Sequence, residues 1–107
     1  MTDHSIFQKL AELRNQRVAF CLATIVDTNG STPRERGAKM IVCVDGSTWG
    51  SVGGGCGEAS IRSTAFRCLL ETKRPELIEV DLTEDIGTTG TDVCGGKMWI
   101  YVEPEPF

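Results

Sequence analysis

Apolar and polar positions along this chain repeat in two distinct periods. Over residues 5–16, SIFQKLAELRNQ, Ile6, Leu10 and Leu13 fall on one stripe with Phe7 beside them, the spacing of an amphipathic helix. Ser5 with Gln8 three residues later has the form of a capping box. Residues 18–26, VAFCLATIV, are apolar on both alternating sets, which predicts a strand covered on both faces. A polar, turn-rich loop, DTNGSTPRERG, follows. AKMIVCVDGSTWGSVGG then reads as a strand, an Asp45-Gly46 turn and a second strand, because Asp-Gly between apolar runs marks a hairpin.

From about Gly57 to Lys73 the period becomes helical. Ile61, Ala65, Cys68 and Leu69 share a face, while Arg62, Arg67 and Lys73 lie largely off it. Pro75 closes that helix. ELIEVDL alternates as a strand, residues 83–96 form a long loop, and KMWIYVE is a last strand. The predicted order is α-β-β-β-α-β-β. It describes a single α+β (or α/β) domain over residues 1–107, with a mixed sheet of about five strands covered by two helices.

Composition narrows the class. Apolar residues at 40% and charged residues at 24% are a globular balance, so disorder is not expected. A net charge of −4 argues against a nucleic-acid partner. The longest apolar run is too short for a membrane span. MTDHSIFQKL lacks the basic and apolar regions of a secretory signal, so a cytoplasmic location with reduced thiols is expected. The five cysteines, at 21, 43, 56, 68 and 94, include no C-x-x-C and match no zinc-finger spacing.

Cys21, Cys43 and Cys68 sit in apolar strand or helix patterns, where a free cysteine acts as a small hydrophobe. Cys56 and Cys94 lie instead in glycine-rich turns, GGGCGE and VCGGK. Cys56 falls at a strand-to-helix junction, where unpaired N–H groups and the helix dipole favour a thiolate. Such a thiol can be a nucleophile, a persulfide carrier or a soft-metal ligand; it can also simply pack beneath the turn. Glycines 53, 54 and 55 would let backbone approach a ligand, and a helix start binds anions. Neither the P-loop nor the G-x-G-x-x-G fingerprint is present.

A second polar cluster, STPRERGAK, holds Arg34, Arg36 and Lys39 against Glu35 alone. Arginine forks suit phosphate or carboxylate; a solvated loop face is the alternative. His4 is the sole histidine and is expected before the first helix, so a Cys-His or Ser-His-Asp arrangement is not expected. Glu58 could orient a ligand or favour the helix dipole. Trp49, Trp99 and Tyr101 read as core packing in strands, or alternatively as interface anchors.

GSTPRERGAKM, GSVGGGCGE and VCGGKMWIYVEP, in that order, resemble the N-terminal domain of the XdhC/CoxI family, accessory proteins of xanthine dehydrogenase and related molybdenum hydroxylases. The resemblance runs from about Val18 to Pro104. It implies a maturation factor, not a catalyst, that binds the molybdenum cofactor (molybdopterin), helps its sulfuration and passes it to the apoenzyme. The cofactor-binding residues it implies are Ser31, Arg34, Lys39, Gly53, Gly54, Gly55, Cys56, Glu58, Cys94, Gly95 and Gly96. Cys56 and Cys94 are the candidate molybdenum contacts, and Cys56 the candidate sulfur carrier. Thr32 stands where a serine is common, and Gly57 where a larger residue is common, which would leave more room at the turn. Longer members carry a Rossmann-like domain that is absent from this chain, so it is expected to be a short form or a fragment. Implied partners are the hydroxylase apoenzyme, a cysteine desulfurase, a separate Rossmann-domain subunit and a second copy in a homodimer. Two other functions remain open: a cofactor-free interaction subunit docking on the hydroxylase or a Rossmann partner, and a thiol redox protein using Cys56.

Overall fold

The computed structural model describes residues 3–32, 34–53, 55–82 and 95–105. Helix α1 (Asp3–Asn15) leads into strand β1 (Phe20–Asn29), then the hairpin β2 (Lys39–Cys43) and β3 (Thr48–Gly50). Helix α2 (Gly55–Arg67) continues into a π-helical turn (Cys68–Thr72), followed by β4 (Glu76–Asp81) and β5 (Lys97–Glu105). The expected element order holds. The capping-box reading of Ser5 does not: α1 already begins at Asp3, so Ser5 and His4 lie inside its first turn.

The strands form one sheet in the order β3-β2-β1-β5-β4. Every described pairing is antiparallel, not mixed as expected. A helix between β3 and β4 suggests a parallel crossover, but β4 pairs with β5 and never with β3. The fold is therefore α+β. The second helix also departs from expectation, because its last turn widens to π geometry. Lys73 N–H closes that turn on the Cys68 carbonyl, with Lys73 itself left-handed at φ 58°. Cys68 and Leu69 stay buried through the widened turn while Leu70 is exposed.

Two cores form because β1 is covered on both faces, as its uninterrupted apolar run requires. Cys21, Ala23 and Ile25 point toward α2 with Met40, Val42, Met98, Ile100 and Val102, and meet Ile61, Ala65 and Cys68. Phe20, Ile41 and Cys43 point the other way and meet Ile6, Leu10 and Leu13 of α1. Arg14 anchors the end of α1 to β5 through a two-pronged pair with Glu105, both contacts 2.9 Å. Arg67 joins the end of α2 to the start of β4 through Glu76 at 2.6 Å.

Candidate functional site

Strand order decides where the loops go. The end of β1 lies beside the starts of β2 and β5, and these lie beside the ends of β3 and β4. The connections β1–β2, β3–α2 and β4–β5 therefore all emerge at one end of the sheet. These are the three connections that carry the basic, glycine-rich and second cysteine motifs.

Residues 51–53 precede α2 and form a local Ser turn. The Gly53 N–H donates to Ser51 Oγ at 2.9 Å, and the Ser51 hydroxyl donates to Glu58 Oε2 at 2.5 Å. One hydroxyl thus joins the glycine loop to the first turn of α2. From the other side, Arg34 Nη1 donates to the Ser51 carbonyl at 3.1 Å. The Thr32 hydroxyl donates to the Arg34 carbonyl at 3.0 Å and holds the arginine's own loop. Two motifs distant in sequence thus meet at Ser51, a residue the sequence reading left out. Its signal was local: a serine two residues before a glycine can form a Ser turn.

The third motif packs against the first. A side chain at Gly96 would place Cβ 2.4 Å from the Ser31 carbonyl oxygen and 2.7 Å from that of Asn29. Only glycine permits that approach, and the Leu82 N–H bonds the Gly96 carbonyl at 2.8 Å. Gly95, at φ 75°, lies opposite Gly30.

The other expected site residues are placed as follows. Lys39 opens β2 and donates from Nζ to the Gly37 carbonyl at 3.2 Å. Arg36 is exposed on the same loop. Gly55 and Cys56 supply the first two residues of α2. Gly54 and Cys94 lie outside the described residues. Gly57 does not open room at the turn: it is buried, and an added Cβ would meet Met98 Cε at 3.2 Å. Among the described residues, no three His, Cys, Asp or Glu side chains cluster to hold a metal.

The structural cysteines behave as their patterns imply. Cys21, Cys43 and Cys68 are buried and free. Burial, and secondarily Cys68, pushes the Cys21 thiol up to about 12, and the thiol donates to the Ala65 carbonyl at 3.5 Å. Burial, then Glu76, raises Cys68 as well. Neither thiol suits nucleophilic chemistry near neutral pH. The aromatic residues correct the core reading. Trp49 is 39% and Tyr101 36% exposed, and Lys9 sits over the Trp49 ring at 5.2 Å. Trp99 is half-buried.

Fold and site together define a class: a three-layer α+β domain whose motifs gather on the loops at one end of an antiparallel sheet. Residues 13–81 match the XdhC and CoxI family, and the chain belongs to that family. It is 37% identical over 99 residues to the uncharacterised protein YqeB of Escherichia coli strain K12, covering 92% of this chain and 18% of YqeB. It also matches a crystal structure of a xanthine dehydrogenase from Bacillus halodurans. That match has a TM-score of 0.81 and 28% identity, and covers 97% of this chain and 30% of the other. The chain thus spans less than a third of the length of either relative. No helix among the described residues is long and apolar enough to cross a membrane.

Proposed function

We propose that this domain holds the molybdenum cofactor for a molybdenum hydroxylase such as xanthine dehydrogenase, and assists its sulfuration and insertion into the apoenzyme. The observation that carries the reading is the meeting of three motif-bearing loops at one sheet end, with Arg34 bonded to the loop that enters α2. The residues fit a phosphorylated pterin. The Arg34 guanidinium has five N–H donors and spends one on Ser51, so its fork retains donors for a phosphate. Lys39, with one of three donors on Gly37, adds charge on the same loop. The first turn of α2 contributes backbone N–H groups that the helix ladder leaves unpaired.

When bound, the cofactor supplies a soft metal centre with an exchangeable sulfur ligand. The chain's own contribution is to hold and orient. Arg34, Lys39 and Ser31 grip the phosphate. Glycines 53 and 55, with Gly95 and Gly96, would let backbone approach the ring system. Glu58 keeps the glycine loop in shape through Ser51. Cys56, with Cys94 as the second candidate, would be the soft ligand to the metal, or would hold sulfur as a persulfide formed by exchange with a persulfide of its donor, whose thiol is released. A cysteine desulfurase would supply that sulfur, and the apoenzyme or a Rossmann-domain subunit would receive the loaded cofactor.

Retention of molybdopterin by the purified chain tests this. Wild type retains the cofactor, and Arg34→Ala and Cys56→Ala lose most of it. Equal retention by Cys56→Ala removes the metal-contact role. No retention by wild type removes the cofactor-holding reading as a whole.

A further inference from the structure

Helix α1 covers only half of its face of the sheet. It packs on β2, β3 and the start of β1, where Ile6, Leu10 and Leu13 meet Ile41, Cys43 and Phe20. Strands lie about 4.8 Å apart, so five present a face about 20 Å wide, whereas one helix covers about 10 Å. The remaining half, over the end of β1 and over β5 and β4, has no helix among the described residues.

The uncovered half is apolar at its centre. Registered pairing places Leu77, Tyr101 and Thr24 side by side across three strands, on the face opposite α2. Trp99 precedes Tyr101 on the same face of β5. Leu77 is 58% and Tyr101 36% exposed. The flank of α1 forms a wall. Its Lys9 side faces Trp49 of β3 and its Arg14 side faces Glu105 of β5. Phe7, one heptad before Arg14, shares that second flank and is 55% exposed. The sheet face beside α1 is thus open over Tyr101 and Trp99, with Phe7 on the helix and Leu77 on the edge strand exposed, which leaves a trough between helix and sheet edge.

The rim is acidic. Glu79 and Asp27 register with Trp99, and Glu103 follows Tyr101 on the same face. A second copy of this chain would bring the same carboxylates against themselves, in a molecule already at −4. Two cations share the face, Lys97 in register with Asp81 and Arg14 on Glu105, so the carboxylates beside Trp99 leave it net acidic. An exposed apolar centre with that charge favours a docking partner of the opposite sign.

We infer that this trough docks an amphipathic helix with basic flanks, supplied by a partner polypeptide and lying alongside α1. The helix completes the layer that α1 begins, its apolar stripe on Tyr101, Trp99 and Leu77 and its lysines or arginines against Glu79 and Asp27. This interaction is independent of cofactor handling, because it lies on a sheet face and not at the end where the three loops meet.

The probe is a synthetic amphipathic helix of leucine and lysine, with a counterpart carrying glutamate in place of every lysine. Trp49→Phe leaves Trp99 as the sole tryptophan, and Trp99→Phe leaves Trp49 beyond α1 as a control reporter. The lysine peptide changes Trp99 fluorescence, leaves Trp49 unchanged and binds at least about tenfold more tightly than the glutamate peptide. Combined Glu79→Lys and Asp27→Lys reverses that preference, and both positions are exposed. Equal binding of the two peptides, or a response at Trp49 equal to that at Trp99, overturns the proposal. Dimerisation with rising protein concentration that Tyr101→Glu abolishes also overturns it, by assigning the trough to a second copy.

Discussion

Arg34 Nη1 donates to the carbonyl oxygen of Ser51, 3.1 Å away and seventeen residues later in the chain. That bond joins the basic loop to the loop that opens α2. It makes Ser51 the meeting point of two motifs, since the same residue's hydroxyl bridges Gly53 and Glu58.

Ser51→Ala leaves the Gly53 N–H without its acceptor and removes one donor from the Glu58 carboxylate. The expected loss is about 1–2 kcal/mol. For a domain of this size each kcal/mol lowers Tm by about 4–8 °C. Thermal unfolding followed by circular dichroism reads the shift, and an unchanged Tm would show that the Ser51 bridge carries no stability.

Gly96→Ala forces Cβ into the backbone carbonyls of Ser31 and Asn29, neither of which can move without disturbing β1. The expected cost is about 3 kcal/mol. Gly37→Ala is the contrast. Nothing lies within 4 Å of its added Cβ, and only its φ of 92° opposes the substitution, so the cost is about 1–2 kcal/mol. Urea unfolding of the pair separates close approach from backbone strain, and equal losses would count against the close approach.

Arg17 ends α1 in a left-handed conformation, φ 57°, where glycine is usual. Its N–H bonds the Arg14 carbonyl, and the Val18 N–H bonds that of Leu13. Arg17→Gly relieves the Cβ penalty and is partly offset by added freedom in the unfolded chain, for a net gain of about 0.5–1 kcal/mol. A higher urea midpoint with unchanged slope is the expected result. A lower midpoint would mean the arginine side chain, which lines a cavity of about 310 Å³ with Val18 and Phe20, stabilises by packing.

Cys21 keeps its proton in the folded state to a pH of about 12, against 9.0 for a free thiol, because burial disfavours its anion. Unfolding therefore releases a proton once pH exceeds about 9. The stabilising contribution is full below that value and is lost progressively as pH rises toward about 12, with a slope of up to about 1.4 kcal/mol per pH unit. Denaturation series between pH 8 and 10.5 should show this decline, and Cys21→Ala should lessen it, leaving the share of Cys68. An identical slope in the variant would remove Cys21 as its source.

Several parts of this domain were legible residue by residue. The stripe of Ile6, Leu10 and Leu13 marked α1, Asp45-Gly46 marked the hairpin, and the doubly apolar VAFCLATIV marked a central strand. The separation of Cys21, Cys43 and Cys68 as core thiols followed from the same patterns. These are short-range properties, in which a residue's periodicity or turn chemistry is decided by its immediate neighbours.

What local pattern left open was decided by pairing between distant strands. Insertion of β5 between β1 and β4 makes the sheet wholly antiparallel, brings three separate motifs to one end and seats Gly96 against Ser31. KMWIYVE was legible as a strand, but not the half-covered face on which Trp99 and Tyr101 would stand. Periodicity along one strand carries no record of which strand becomes its neighbour or where a helix lies across it. The chain's own residues therefore determined the elements and the chemistry they carry. The hydrogen-bond register of the assembled sheet decided which of those residues meet at Ser51 and which are left facing solvent.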